Sequence, residues 1–172
     1  MIIKYEIKYG AITGAGICLW IIAEYLLGFH TDKMDVGEYS IYFVVLIPLI
    51  TIYLGIKEKR DRQNKGVISF NYGVRTGLMI SLIAAVITSL FIIFYFNFID
   101  PKFFERGVQY QTQKLILKGK TNKEIAGQIE NIRLTFSFVN QLLFAILGTV
   151  VTGFIISIVL SLILKRKTKT SV

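Results

Sequence analysis

The sequence predicts an all-α, polytopic membrane protein: four transmembrane helices, with an extra-membrane helical extension between the third and the fourth. Three observations predict it. Hydrophobic residues make up 53% of the 172, and the mean hydropathy is +0.58. Four segments approach or exceed the roughly 20 apolar residues that a bilayer core requires of a helix. The charged residues, 18% of the chain, gather between those segments. They do not recur every three or four positions, as they would on a soluble amphipathic helix.

The same composition excludes a disordered chain, which would need low hydrophobicity. It also excludes a disulfide scaffold, because Cys18 is the one cysteine and has no intrachain partner. A single transmembrane domain over residues 1–172 is the expected organisation.

Span one runs from about Tyr9 to Phe29 and holds one charge, Glu24. Lys4 and Lys8 precede it, but its apolar run is too long for the core of a signal peptide and no small-x-small cleavage site follows. It reads as a retained span. Span two runs from about Tyr39 to Ile56, without a charge. Pro48 lies inside it, cannot donate to the carbonyl of Val44 and crowds the preceding turn, so a helix kink is expected there. Span three, about Gly77–Ile99, and span four, about Phe138–Leu164, carry no charge at all.

The segment from about 100 to 137 is too long for a plain turn. Asp100 can cap a helix that Pro101 opens, and Gly119 can end it. Thr121 and Glu124 fit a capping box. Ile125, Ile129, Ile132 and Phe136 then form one apolar stripe. Two amphipathic helices are expected on the outer side; they pack on each other, lie on the membrane surface or project as the upper ends of spans three and four, and the first and last of these combined are the leading reading.

Basic residues set the threading. Lys4 and Lys8, then Lys57, Lys59, Arg60, Arg62, Lys65 and Arg75, then Lys165, Arg166, Lys167 and Lys169 share one side, twelve of the 20 Lys and Arg. They crowd the span ends, where the positive-inside rule acts. Both termini are therefore expected in the cytoplasm, in the inner membrane, with anionic lipid headgroups as contacts at that face. The formal net charge of +9 is explained this way, and nucleic acid is not expected as a partner.

Small residues recur at four-residue spacing. Span three carries Gly73, Gly77, Ser81, Ala85 and Ser89; span four carries Ala145, Thr149, Gly153, Ser157 and Ser161; span one carries Gly10 and Gly14. Without a hydrophobic drive between helices in lipid, such faces allow close backbone packing, within the bundle or with a second copy. Tyr9-Gly10-Ala11-Ile12-Thr13-Gly14 and Tyr72-Gly73-Val74-Arg75-Thr76-Gly77 also share the pattern YGxxTG, an echo that would fit two parallel hairpins.

Chemistry is sparse. With one histidine, His30, and one cysteine, the usual zinc sites are not available. No P-loop, GxSxG or HExxH occurs. No catalytic residue, cofactor or metal ligand is assigned, and the chain is not expected to be an enzyme. His30 reads as a solvated loop residue. Glu24 is the candidate functional residue, since ionisable groups inside a span are costly. It handles a proton or cation, or it bonds at the interface or within the bundle to Asn97, Asn140, Gln141 or a tyrosine. The leading reading is a structural or accessory component acting through helix–helix contacts with itself or a membrane partner. The alternative is a small transporter or channel subunit using Glu24.

Several short motifs add a resemblance. Lys4, Tyr9-Gly10 and Gly14 open span one, with Glu24 late in it. Gly55-Ile56-Lys57, Lys59 and Arg60 close span two, and Gly66, Ser69-Phe70 and Gly77 open span three. Asp100-Pro101, Phe104-Glu105, Thr121 and Glu124-Ile125 fall in the outer segment. In these the chain resembles a bacterial family of small membrane proteins called domain of unknown function 4199. The resemblance implies a four-span protein of the bacterial envelope, and it implies no activity.

Overall fold

A computed structural model describes residues 4–166 and is all-α. It contains helices α1 (Lys4–Leu26), α2 (Met34–Val44), α3 (Leu46–Glu58), α4 (Phe70–Phe94), α5 (Phe103–Leu117), α6 (Asn122–Thr135) and α7 (Phe138–Leu164). Single π-helical turns extend α3 over Lys59–Gln63 and α4 over Tyr95–Ile99. Four stretches are long and apolar enough to cross a membrane: Lys4–Leu26, Met34–Gln63, Phe70–Ile99 and Phe138–Leu164.

These bounds differ from the expected ones at the first three spans. Span one begins earlier and stops at Leu26, because Gly28 takes φ +82°. Its N–H bonds to the carbonyl of Tyr25, and that of Phe29 bonds to Glu24; this is the Schellman arrangement that glycine permits. Span two covers 34–63 where 39–56 was expected. Its polar ends stay helical because they find partners, Glu38 on α5 and Lys59 on α1. Span three starts at Phe70, where Ser69 caps the Tyr72 N–H at 3.3 Å.

Span two is not continuous. It breaks at Val45, between α2 and α3, next to Val44, whose carbonyl Pro48 cannot serve.

Helix α4 lies between α1 and α7, and α3 packs across all three. The tightest core is Tyr9, Ile52, Ile56, Ile80, Ile156, Leu160 and Leu164, in the half of the bundle nearest the described ends. There Arg166 pairs with Ile68 through their backbones, and Lys59 pairs with Glu6, both side chains only 3% exposed. The Arg60 guanidinium donates to the carbonyl of Leu164 at 3.3 Å, closing the end of α7. Residues 4 and 166 and the 59–69 connection thus share one side. Lys167 and Lys169 of the basic tail lie outside the described residues.

The small-residue faces of α4 and α7 meet in antiparallel register. A side-chain carbon added at Gly73, Gly77 or Gly153 would collide with Ser161, Ser157 or Ser81 respectively. Gly10 and Gly14 of α1 rest on Ile83 and Ile87 of α4. The Thr13 and Thr51 hydroxyls join α1 to α3 at 2.7 Å. Ala85 is buried, whereas Ser89, Ala145 and Thr149 are half-buried, so the seam loosens away from the described ends. The other face of α7 exposes Val139, Leu143, Leu147, Val151, Ile155, Val159 and Ile163, a stripe suited to lipid.

Helices α5 and α6 form the extra-membrane hairpin. Thr121 and Glu124 make the full capping box. Gly119, at φ +73°, ends α5 in a second Schellman turn, with Lys120 bonding back to Leu115. Ile125, Ile129 and Ile132 are the half-buried positions of α6, followed by Phe136. The Phe136 ring lies against Gly107 of α5 and near the Phe103 ring.

Candidate functional site

At the loop side, opposite the described ends, the ionisable residues converge. The Schellman turn at Gly28 folds the chain back over the end of α1, so His30 lies above Glu24. Its Nε2 is 3.5 Å from Glu24 Oε2, and the two side chains are 15% and 12% exposed. Glu24 Oε1 accepts the indole N–H of Trp20 at 2.7 Å. The other ring nitrogen, Nδ1, meets the Tyr95 hydroxyl at 2.6 Å. That hydroxyl reaches Asp100 Oδ2 at 3.4 Å. Tyr95 is 1% exposed and Asp100 3%. Asp100 is also paired with Arg106 on α5, whose Nε donates to the backbone carbonyl of His30 at 2.9 Å.

The cluster therefore ties α1, the 27–33 connection, the end of span three and the first turns of α5. Aromatic packing encloses it: His30 stacks edge-on against Tyr95 and Phe103 at centroid distances of 5.8 and 5.1 Å. A second tie lies further along α5, where Lys114 bonds Glu38 at 2.6 Å. The Glu38 carboxylate raises the Lys114 pKa above its ordinary value.

Two readings of the sequence are corrected here. His30 is not solvated. Asp100 does not cap α5 with its side chain; its carboxylate binds Arg106 and Tyr95, while its carbonyl accepts the Phe103 N–H. Glu24 accepts a hydrogen bond from Trp20 and lies 3.5 Å from the His30 ring, whereas Asn97, Asn140 and Gln141 bond nearby carbonyls instead. His30, Tyr95, Asp100 and Arg106 were missed as partners of Glu24. The available signal was their common depth: one ionisable residue just past span one, two just past span three, and a tyrosine one turn before Asp100.

Pro48 lines a second feature, a cleft of about 210 Å³ halfway along the bundle, with Ile17, Val45, Phe144, Gly148 and Thr149. It has no ionisable lining residue. Gly148 has no heavy atom within 4 Å of a built side-chain carbon, unlike the closed glycines of the seam. Cys18 is half-buried in α1 and forms no disulfide. Among the described residues no three His, Cys, Asp or Glu side chains are grouped to hold a metal.

A family model described as "Protein of unknown function (DUF4199)" matches residues 8–166. No curated protein and no solved structure matches the chain.

Proposed function

The chain belongs to this family of unknown function, and from its own geometry we propose that it is a structural or accessory membrane component acting through helix–helix contact, with itself or with a membrane partner. The observation that carries the reading is Gly148. The glycines of the α4–α7 seam are filled by serines, but Gly148 opens onto a cleft at the break in span two. Small residues left open in lipid admit a neighbouring helix closely. In this reading both termini are cytoplasmic, and the exposed Lys8, Lys57 and Arg62 meet anionic headgroups of the inner membrane. No catalysis, cofactor or nucleic acid enters it.

The alternative, a small transporter using Glu24, draws on the burial of that carboxylate. Against it, both Glu24 oxygens are engaged at the loop side and the mid-bundle cleft is apolar. Proteoliposomes holding the native chain or Glu24→Gln separate the readings. Neither should pass protons or sodium under an imposed gradient. Flux through the native protein that Glu24→Gln abolishes would replace the accessory reading with transport.

A further inference from the structure

Helix α5 leaves the end of span three without standing out from the membrane. Arg106, in its first turns, pairs with Asp100 at that end and donates to the carbonyl of His30 at 2.9 Å. Further along, Lys114 bonds Glu38 at 2.6 Å, and Gln111 donates to the same carboxylate at 3.1 Å. Glu38 lies inside α2, in the first turns of span two. A helix along the membrane normal would carry position 114 about 12 Å further out than position 106. Both positions are instead tied to span ends, so α5 runs along the loop-side face of the bundle.

Phe103, Arg106, Tyr110, Lys114 and Leu117 recur at three- and four-residue spacing and share one side of α5. The first four are half-buried, against His30, the 31–35 segment and Glu38. Leu117 continues the row past the last tie and is 79% exposed. Span two shows what surrounds it. Tyr39 and Tyr42 follow Glu38 on α2, 64% and 72% exposed, and tyrosines so placed on a span mark the membrane–water interface. Lys114 is bonded at that level, and Leu117 lies less than one turn beyond it. The local charge suits lipid headgroups. From 114 to 124 the chain carries four lysines and one acid, Glu124, and that acid is bonded to Lys120.

We propose that the tip of the α5–α6 hairpin is an anionic-lipid contact: Leu117 enters the headgroup boundary of the loop-side leaflet, and Lys118 and Lys120 meet the phosphates around it. Entry removes the leucine's apolar surface from water, while the lysine stems lie along the boundary and keep their charges outward. Anionic headgroups attract such a basic turn. The contact is continuous with the lipid-facing side of span two, where Tyr39, Tyr42 and Phe43 are exposed. It is separate from the helix docking proposed at Gly148 and stands or falls without it.

The test uses the full chain in a Cys18→Ala background, with one cysteine at Leu117 or at Glu105 carrying the same environment-sensitive fluorophore. Both positions are exposed, so neither change disturbs the core, and they lie about 120° apart around α5. The chain is placed in phosphatidylcholine nanodiscs, with or without phosphatidylglycerol. Quenching by a shallow lipid nitroxide is compared with quenching by dissolved acrylamide. At Leu117 the nitroxide should quench and acrylamide should not; at Glu105 the order should reverse. Phosphatidylglycerol should strengthen nitroxide quenching at Leu117. Lys118→Gln should lower the immersed-to-free ratio there about fivefold, the scale of one lysine at an anionic surface. Acrylamide quenching at Leu117 would overturn the contact, because the hairpin tip would then stand in water. Shielding from both quenchers would overturn it too, since protein from a second copy or a partner would cover the leucine. Quenching indifferent to phosphatidylglycerol and to Lys118→Gln would overturn the anionic preference.

Discussion

A side-chain carbon at Gly153 meets Ser81, whereas one at Gly148 meets open space. Two glycines five residues apart on α7 should therefore respond in opposite ways to the same change. Gly153→Leu, and its counterpart Ser81→Leu, over-pack a closed seam and should cost about 1–3 kcal/mol, lowering Tm in detergent. Gly148→Leu should leave the Tm of the detergent-dispersed chain unchanged. Equal losses at both glycines would mean that the cleft is closed. At this scale the sequence was partly legible. The four-residue spacing identified the small faces, since helix geometry maps spacing onto one side. It could not distinguish Gly153 from Gly148, because that depends on what lies opposite. Glu24 was found by its cost in a span, but His30 and Asp100 were misread as a solvated residue and a cap. Their partners lie on other elements, beyond the reach of local pattern.

The α5–α6 hairpin shows the opposite case, because its signals are local. The Thr121–Glu124 capping box, the isoleucine stripe and Gly119 all lie within a few turns of what they control. Lys120 and the Thr121 hydroxyl and N–H hold the Glu124 carboxyl at about 2, below its ordinary 4.5. A depressed carboxylate stabilises when ionised. Its contribution is thus complete above about 4.5 and is lost as pH falls from there through about 2. Exchange protection of residues 122–135 should decline over that window, and Thr121→Ala should weaken the helix by about 1 kcal/mol at neutral pH. Protection that stays flat from about 4.5 down to about 2 would remove Glu124 from the cap. The span ends were harder to read than the hairpin. Lys57, Glu58, Lys59 and Arg60 look like a stop, yet the helix continues through them. Glu6 neutralises Lys59 and the Leu164 carbonyl takes Arg60, and both partners come from distant sequence.

For the whole molecule, fold class was the most legible property, because lipid demands long apolar helices whatever their contacts. The placement of α4 between α1 and α7 had no comparable signal. Orientation rests on charge asymmetry and is open to labelling. In a Cys18→Ala background, an impermeant thiol reagent on intact cells should reach Lys118→Cys and spare Arg62→Cys; the reverse would invert the threading. The function proposed for the molecule depends on one exposed face. Disulfide or bifunctional-thiol crosslinking in native membranes, with Cys18→Ala and a single cysteine at Gly148 or at Leu147, tests it most directly. The two positions lie at nearly the same depth but about 100° apart around the helix. A discrete crosslinked species, to a second copy or to one partner, should form from Gly148→Cys and not from Leu147→Cys. No species from Gly148→Cys, or equal yields at both positions, would contradict a helix docked at the cleft.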